Sequence, residues 1–370
     1  MNVLLLGTDA SAFTEGSALH HRLLAYGTRV ETLSILVISS SVHPHKKIAE
    51  NVFLYSVGGT PLIRFLRAVK KGKSIAKEKS IHVVSAQDPF EIGWVGMKVA
   101  ESVGATLHVQ VHTDIGSPFF KIHSWKNRIR LHVARRVLPR ARGVRAVSKR
   151  SAEGVRTLSP KSTITILPIR AVPPQEVLPQ KKKPFGFTLL MLGRLTKEKD
   201  IETAIKTLVL LKKAYPTLGL LIVGEGSERT HLEAFARGQG VAERVMFAGP
   251  LPTYEALGQA HALLHTSRYE GYGLVFIESA LAGVPIIATD VGIMGDIFKN
   301  EESALVCPVG DTACLKTKIS ELIEDVRLQF TLRENAKLAA ETHVISEEEY
   351  LDIWKKDIDI WKKDIVGNFT

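Results

Sequence analysis

Two carboxylates, Glu270 and Glu278, stand eight residues apart in Arg268-Tyr-Glu-Gly-Tyr-Gly-Leu-Val-Phe-Ile-Glu278, with Gly271 and Gly273 just after the first. The strand-like Ala262-Leu-Leu-His-Thr266 precedes this stretch and an apolar run from Leu274 to Ala282 follows it, so the pattern predicts strand, glycine turn and helix. Such a turn leaves backbone N–H groups at a helix N-terminus, where the helix dipole adds positive potential; an anion fits there, and a phosphate first of all. Two cations are candidates to join it. Arg194 follows Gly193 at the end of the apolar Phe187 to Leu192, and Lys199 comes shortly after. A guanidinium can grip two oxygens of a diphosphate, and each charge-assisted bond would offset charge on a leaving group. Taken alone, these residues read more simply as a turn glycine with two surface cations. Gly224-Glu-Gly226 is a second glycine turn, of a kind any strand-to-helix connection can use. His112 closes Leu107-His-Val-Gln-Val-His112 and could exchange hydrogen bonds with a sugar, whereas His108, in mid-strand, reads as a core or edge residue.

The elements that must hold these groups alternate. Val3 to Gly7, Val52 to Val57, His82 to Ser85, Thr106 to Val111, Gly143 to Val147 and Thr163 to Leu167 read as strands, with helical periodicity at Gly16 to Ala25, Pro61 to Ala76, Ile92 to Ser102 and Ser124 to Val137. Near-continuous apolar strands separated by helices predict an α/β fold with parallel sheets covered on both faces. Arg170 to Gly186 carries four prolines and no period, so 171–186 is read as a linker between a first domain, 1–170, and a second, 187–345. Strands at Phe187 to Leu192, Leu218 to Val223, Val245 to Phe247, Ala262 to His265 and Pro285 to Thr289 alternate with helices in the second domain. Ligands of doubly wound sheets bind at the carboxyl ends of strands, which predicts a site in a cleft between the two domains.

Residues 346–370 are expected to form a C-terminal helix holding an internal repeat, Asp352-Ile-Trp-Lys-Lys-Asp-Ile358 and Asp359-Ile-Trp-Lys-Lys-Asp-Ile365. Its apolar side is interrupted by Asp357 and Asp364; a helix returning to the first domain is the preferred reading, an interfacial helix the alternative. Asp357-Ile-Asp359 resembles a metal-binding triplet but sits in the helix, not after a strand, and no metal is expected.

At 370 residues, 45% hydrophobic and 24% charged, the chain has the composition of a globular protein with two cores. The N-terminus lacks a basic leader region, and no run approaches the roughly 18 apolar residues of a membrane span. Two cysteines, Cys307 and Cys314, make no disulfide framework and no metal pattern, which fits a reducing cytoplasm. The net charge of +11 is uneven: Lys121 to Arg150 holds eleven Lys or Arg and no acid, and Arg64 to Lys79 seven cations against Glu78. These patches would attract an anionic partner, or are solvated helix faces. Nucleic acid is not expected, since no recognition motif or aromatic stacking pattern accompanies the charge.

Together these motifs resemble the GT-B glycosyltransferases of the GT4 family, also grouped as glycosyltransferase group 1. The resemblance is strongest from Leu189 to Gly310. It rests on Gly193-Arg-Leu with Lys199, Ile222-Val-Gly-Glu-Gly-Ser-Glu228, Val245-Met-Phe-Ala-Gly249, Glu270 to Glu278, Ala282-Gly-Val-Pro285 and Val309-Gly-Asp311. It implies two Rossmann-like domains facing a cleft, and a retaining transfer of a sugar from a UDP- or GDP-sugar to a glycan, lipid or other cell-envelope acceptor, without a cofactor. By the same resemblance Arg194 and Lys199 would hold the donor diphosphate with the amides of Gly273, Leu274 and Val275. Glu270 would bind the donor sugar, Glu278 the ribose, and Gly224, Phe247 and Ala248 would border the base. His112 would contact the transferred sugar, and Ser148 would line the cleft. A cytoplasmic enzyme working at the inner face of a membrane is the matching location. Two departures stand out: Gly7 to Gly16 lacks the adjacent glycines of the family's first loop, and Ile169-Arg-Ala-Val-Pro173 lacks its acidic residue. A nucleotide-sugar-binding subunit without activity, a nucleotide-sugar epimerase and a sugar phosphorylase are the competing readings.

Overall fold

The computed structural model describes residues 1–173 and 182–359, which separate into two compact units, Met1–Pro168 with the segment from Ser346, and Ile169–Ile345. Residues 174–181 of the proline-rich segment and the second copy of the C-terminal repeat beyond Asp359 lie outside the described residues.

In the first unit the elements run β1 (Asn2–Gly7), α1 (Ala18–Gly27), β2 (Thr32–Ile38), β3 (Lys46–Ala49), β4 (Val52–Val57), α2 (Pro61–Glu78), β5 (Val83–Ala86), α3 (Glu91–Val103), β6 (Thr106–Val111), α4 (Pro118–His123), α5 (Trp125–Val137), β7 (Gly143–Ala146), α6 (Lys149–Leu158) and β8 (Ile164–Ile166). The sheet order is β3-β4-β2-β1-β5-β6-β7-β8, parallel except for β3. Val3, Leu4 and Leu6 of β1 and Val83, Val84 and Ala86 of β5 are all buried, as central strands covered on both faces must be. β2 and β3 add to the strands legible in the sequence. β2 lies between β1 and β4 in the buried centre, while β3 is an antiparallel edge whose Lys46 and Lys47 break any apolar run.

The second unit runs β9 (Phe187–Leu192), α7 (Ile201–Leu211), β10 (Leu218–Val223), α8 (Arg229–Gly238), β11 (Val245–Gly249), α9 (Thr253–Leu257), β12 (Ala262–His265), α10 (Leu274–Leu281), β13 (Ile286–Thr289), β14 (Leu305–Cys307), α11 (Thr312–Glu324) and α12 (Val326–Glu341). Its sheet is β11-β10-β9-β12-β13-β14, all parallel. One expectation is corrected here: Cys307 and Cys314 form a disulfide. Asp311 caps α11 by accepting from the Cys314 N–H at 2.9 Å, so the turn after β14 brings the helix's first residues back beside the strand end. Sequence spacing alone did not show that return.

The last helix, α13 (Glu347–Asp359), belongs to the first unit. Leu351, Trp354 and Ile358 are buried, and Trp354 stacks on Tyr26 of α1 with ring centroids 4.1 Å apart. Asp357, which spoils the apolar stripe in sequence, is buried because it pairs with the equally buried His108 of β6, Nε2 to Oδ2 at 3.1 Å. A buried charge needs such a partner. The helix therefore packs as the returning element, and Asp357 serves it as an anchor.

Candidate functional site

In the second unit, β9 and β12 are neighbours, and the loops leaving their carboxyl ends are tied together. Thr266 Oγ1 donates to the carbonyls of Lys199 and Asp200, each at 3.0 Å, and the Arg268 N–H donates to Glu198 at 2.8 Å. Arg268 also pairs with Asp200 at 3.1 Å. The loop carrying Lys199 is thereby fixed against the loop carrying Glu270, although the two residues are 71 positions apart.

Glu270 is the centre of this arrangement. Its Oε1 accepts from the Lys199 ammonium, from His265 Nε2 at 3.1 Å and from Ser267 Oγ at 2.9 Å. Burial alone would raise the Glu270 pKa, but the His265 bond and the Lys199 charge outweigh it and hold the carboxyl well below the usual range. Burial pushes His265 the other way, below its ordinary value, so the imidazole is neutral and donates its Nε2–H. The ring is held edge-on to Phe276 of α10, centroids 4.7 Å apart. No described donor is bonded to the second Glu270 oxygen, which leaves one acceptor fixed in place for a ligand.

The glycines set the distances. Gly224 has φ +136°, and a Cβ there would stand 1.9 Å from the Gly193 carbonyl oxygen. Only glycine lets the β10 turn approach the β9 turn so closely. The Leu195 N–H then donates to Glu225 and the Glu228 N–H to Leu195. At Gly273, φ is +87° and a Cβ would meet the Phe276 ring at 2.4 Å. This residue starts α10, whose first amides, Leu274 and Val275, are too early in the helix to bond within it.

The other predicted residues of this unit are spread around the same strand ends. The Arg194 side chain is mostly exposed, 3.8 Å from Glu198. Gly193, Arg194, Lys199, His265 and Ser267 line one small pocket. Glu278 lies in the second turn of α10, with burial raising its pKa, and burial followed by the Glu278 charge pushes Tyr254 up to about 12. Phe247 packs partly against the core, and Ala248 is exposed where the β10–β11 register shifts.

His112 and Ser148 belong to the first unit. Ser148 is buried and caps α6, accepting from the Ser151 N–H at 3.1 Å. His112 heads a chain of hydrogen bonds that the sequence did not disclose: its Nε2 to Gln110 Oε1 at 3.1 Å, Gln110 Nε2 to Ser85 Oγ at 3.1 Å, Ser85 Oγ to His108 Nδ1 at 2.8 Å, and His108 to Asp357. Loss of hydration at the ring, then the charges of Arg145 and Arg22, push the His112 pKa down to about 4, although the residue is exposed at the strand end. Neutral His112 must donate Nε2–H to the Gln110 carbonyl, since the Gln110 amide nitrogen is used on Ser85. Its Nδ1 is then an acceptor. The signal for this chain was the polar alternation of His108, Gln110 and His112 on a strand otherwise apolar, which places all three on one face.

The fold class follows from the two doubly wound units. A sucrose-phosphate synthase from Thermosynechococcus elongatus has the same fold, with a TM-score of 0.80 at 18% identity, covering 100% of both chains. HepE of Anabaena in complex with UDP-glucose gives 0.71 at 17%, over 98% of this chain and 100% of that one. The α/β fold expected of GT-B proteins, with a largely parallel sheet in each of two units, is thus the one found. Residues 175–339 match the family described as glycosyl transferases group 1.

Among curated relatives, glycogen synthase of Mycobacterium tuberculosis is 34% identical over 140 residues, 37% of this chain and 34% of its own length. A 2-deoxystreptamine glucosyltransferase of Streptomyces kanamyceticus is 26% identical over 250 residues, 62% of this chain and 64% of that one. The matched segment therefore spans about a third of the first relative's length and just under two thirds of the second's.

Proposed function

We propose that the chain is a retaining glycosyltransferase that moves a sugar from a UDP- or GDP-sugar to a glycan, lipid or other cell-envelope acceptor. The observation that carries this reading is the Lys199–Glu270 assembly beside the first turn of α10. Lys199, the exposed Arg194 and the Leu274 and Val275 amides offer positive charge to a diphosphate, and the open Glu270 oxygen accepts from a sugar hydroxyl. Charge developing on the departing phosphate is stabilised by groups already in place, the cheapest form of catalysis. As the bond from C1 to the diphosphate oxygen breaks, the acceptor oxygen bonds to C1 on the same face. Its proton passes to the leaving phosphate, so Glu270 need carry no proton, consistent with its depressed pKa.

The reading is supported by the group 1 match and by relatives whose names denote sugar transfer. A thermal-shift screen of UDP-, GDP- and ADP-sugars tests it, because a ligand held by the native state raises the melting temperature. One donor should stabilise the protein and pass its labelled sugar to an acceptor. Stabilisation by none, with no transfer, would end the proposal; binding with no transfer or hydrolysis would indicate a binding subunit.

A further inference from the structure

In the first unit α2 packs on α3 and α3 on α5, so the three helices form one layer over the sheet. Each follows a parallel strand and runs back along it, which puts their first turns together at the carboxyl end of the sheet. Arg130 of α5 pairs with Glu91, the first residue of α3, at 3.0 Å and confirms that α5 begins beside α3.

At that end the layer exposes large apolar side chains. Leu62 is 74% exposed, with Ile63 and Leu66 also open, on the first two turns of α2. Trp125 is 67% and Ile129 53% exposed one turn apart on α5, and Ile122 of α4 stands beside them. Interleaved with these are exposed Lys121, Lys126 and Arg128, and along α2 exposed Arg67, Lys70 and Lys71. No acid occurs between Lys121 and Arg150. Arg130 and Arg140 pair with Glu91 and Glu101 of α3, and Arg142, Lys149 and Arg150 are also engaged, so the cations offered on this face are Lys121, Lys126 and Arg128 with those of α2.

We infer that this face, the first turns of α2 and α5 with α4, docks onto an anionic lipid bilayer. Isolated aliphatic side chains and a tryptophan among Lys and Arg match an interface in which knobs enter the headgroup region and cations meet lipid phosphates. Single-stranded nucleic acid would require a row of stacking faces, and beside the lone Trp125 the exposed Leu62, Ile63, Leu66 and Ile129 provide none. Among the described residues no helix is long and apolar enough to cross a membrane, so the attachment is to a surface.

Vesicle sedimentation reads the interaction without any donor or acceptor, so it stands or falls apart from the transfer reaction. The protein should sediment with phosphatidylcholine vesicles containing phosphatidylglycerol, remain in solution with phosphatidylcholine alone, and be released by added salt. Trp125→Ala with Ile129→Ala, and separately Leu62→Ser with Leu66→Ser, should each weaken binding roughly tenfold or more. All four side chains are exposed, so circular dichroism and melting should match the parent. Equal partitioning to neutral and anionic vesicles would overturn the proposal, as would unchanged binding by both double variants. Failure to bind either vesicle would overturn it too, and a dimer broken by the same substitutions would then assign the face to a second copy of the chain.

Discussion

Three donors on a single oxygen of Glu270 define what each of them contributes. Lys199 carries the charge, and its removal should cost both phosphate stabilisation and the partner of a buried carboxylate. Lys199→Ala is expected to lower kcat about hundredfold, measured by transfer of labelled sugar. His265 acts through Glu270. His265→Phe preserves bulk against Phe276 but deletes one hydrogen bond to a charged group, so donor KM should rise roughly tenfold with kcat less affected. An unchanged KM would show that Lys199 and Ser267 suffice to orient the carboxylate. Glu270 could be singled out by its spacing from Glu278 with glycines between them, whereas Arg194 and Lys199, read alone, looked like surface cations and were singled out only by the family resemblance. His265 was not, since a histidine ending Ala262-Leu-Leu-His265 looks like a strand residue until the turn carries Glu270 back over it. The same holds for Gln110 and Ser85, whose partners are set by strand neighbours that the sequence does not name.

At the scale of elements, the two glycine turns and α13 show different limits of sequence reading. The Gly224-Glu-Gly226 turn was visible but its purpose was not, because the close approach is to a loop from another strand. Gly224→Ala would place a Cβ against the Gly193 carbonyl at a φ that side chains rarely adopt. A loss of about 2–3 kcal/mol is expected in urea unfolding, with weaker nucleotide-sugar binding. In α13 the position of Asp357 looked like a flaw in amphipathicity, and its partner lies 249 residues away. Burial would raise the Asp357 pKa, but the His108 bond and nearby charges bring it below the ordinary value. An acid with a depressed folded pKa stabilises the fold above its unfolded pKa, and that stabilisation fades as pH falls through the folded one. Asp357→Asn should therefore cost about 1–3 kcal/mol at neutral pH, and the gap from the parent should narrow below about pH 4 in unfolding curves. Parallel curves down to the acid limit would separate Asp357 from that dependence.

For the whole molecule, alternation of strands and helices made the α/β class and the two-unit division legible. Strand order was not, because β1 pairs with β2 and β5 through crossovers whose register no local pattern records. The division also has an asymmetry that matters for folding. The second unit is one continuous segment, Ile169–Ile345, whereas the first is completed by the segment starting at Ser346. Without α13, the first unit would expose Tyr26 and leave His108 without Asp357. It would also lose burial of Leu351, Trp354 and Ile358, worth roughly 1.5–3 kcal/mol each. That loss is comparable to the whole stability of an ordinary domain, about 5–15 kcal/mol. A fragment of residues 169–345 should then melt cooperatively by itself, while 1–168 should lack fixed near-ultraviolet dichroism and recover it when a peptide of residues 346–370 is added. A cooperative melt of 1–168 alone, near the temperature of the intact chain, would show that the sheet and its own helices carry the unit and that α13 is an accessory to it.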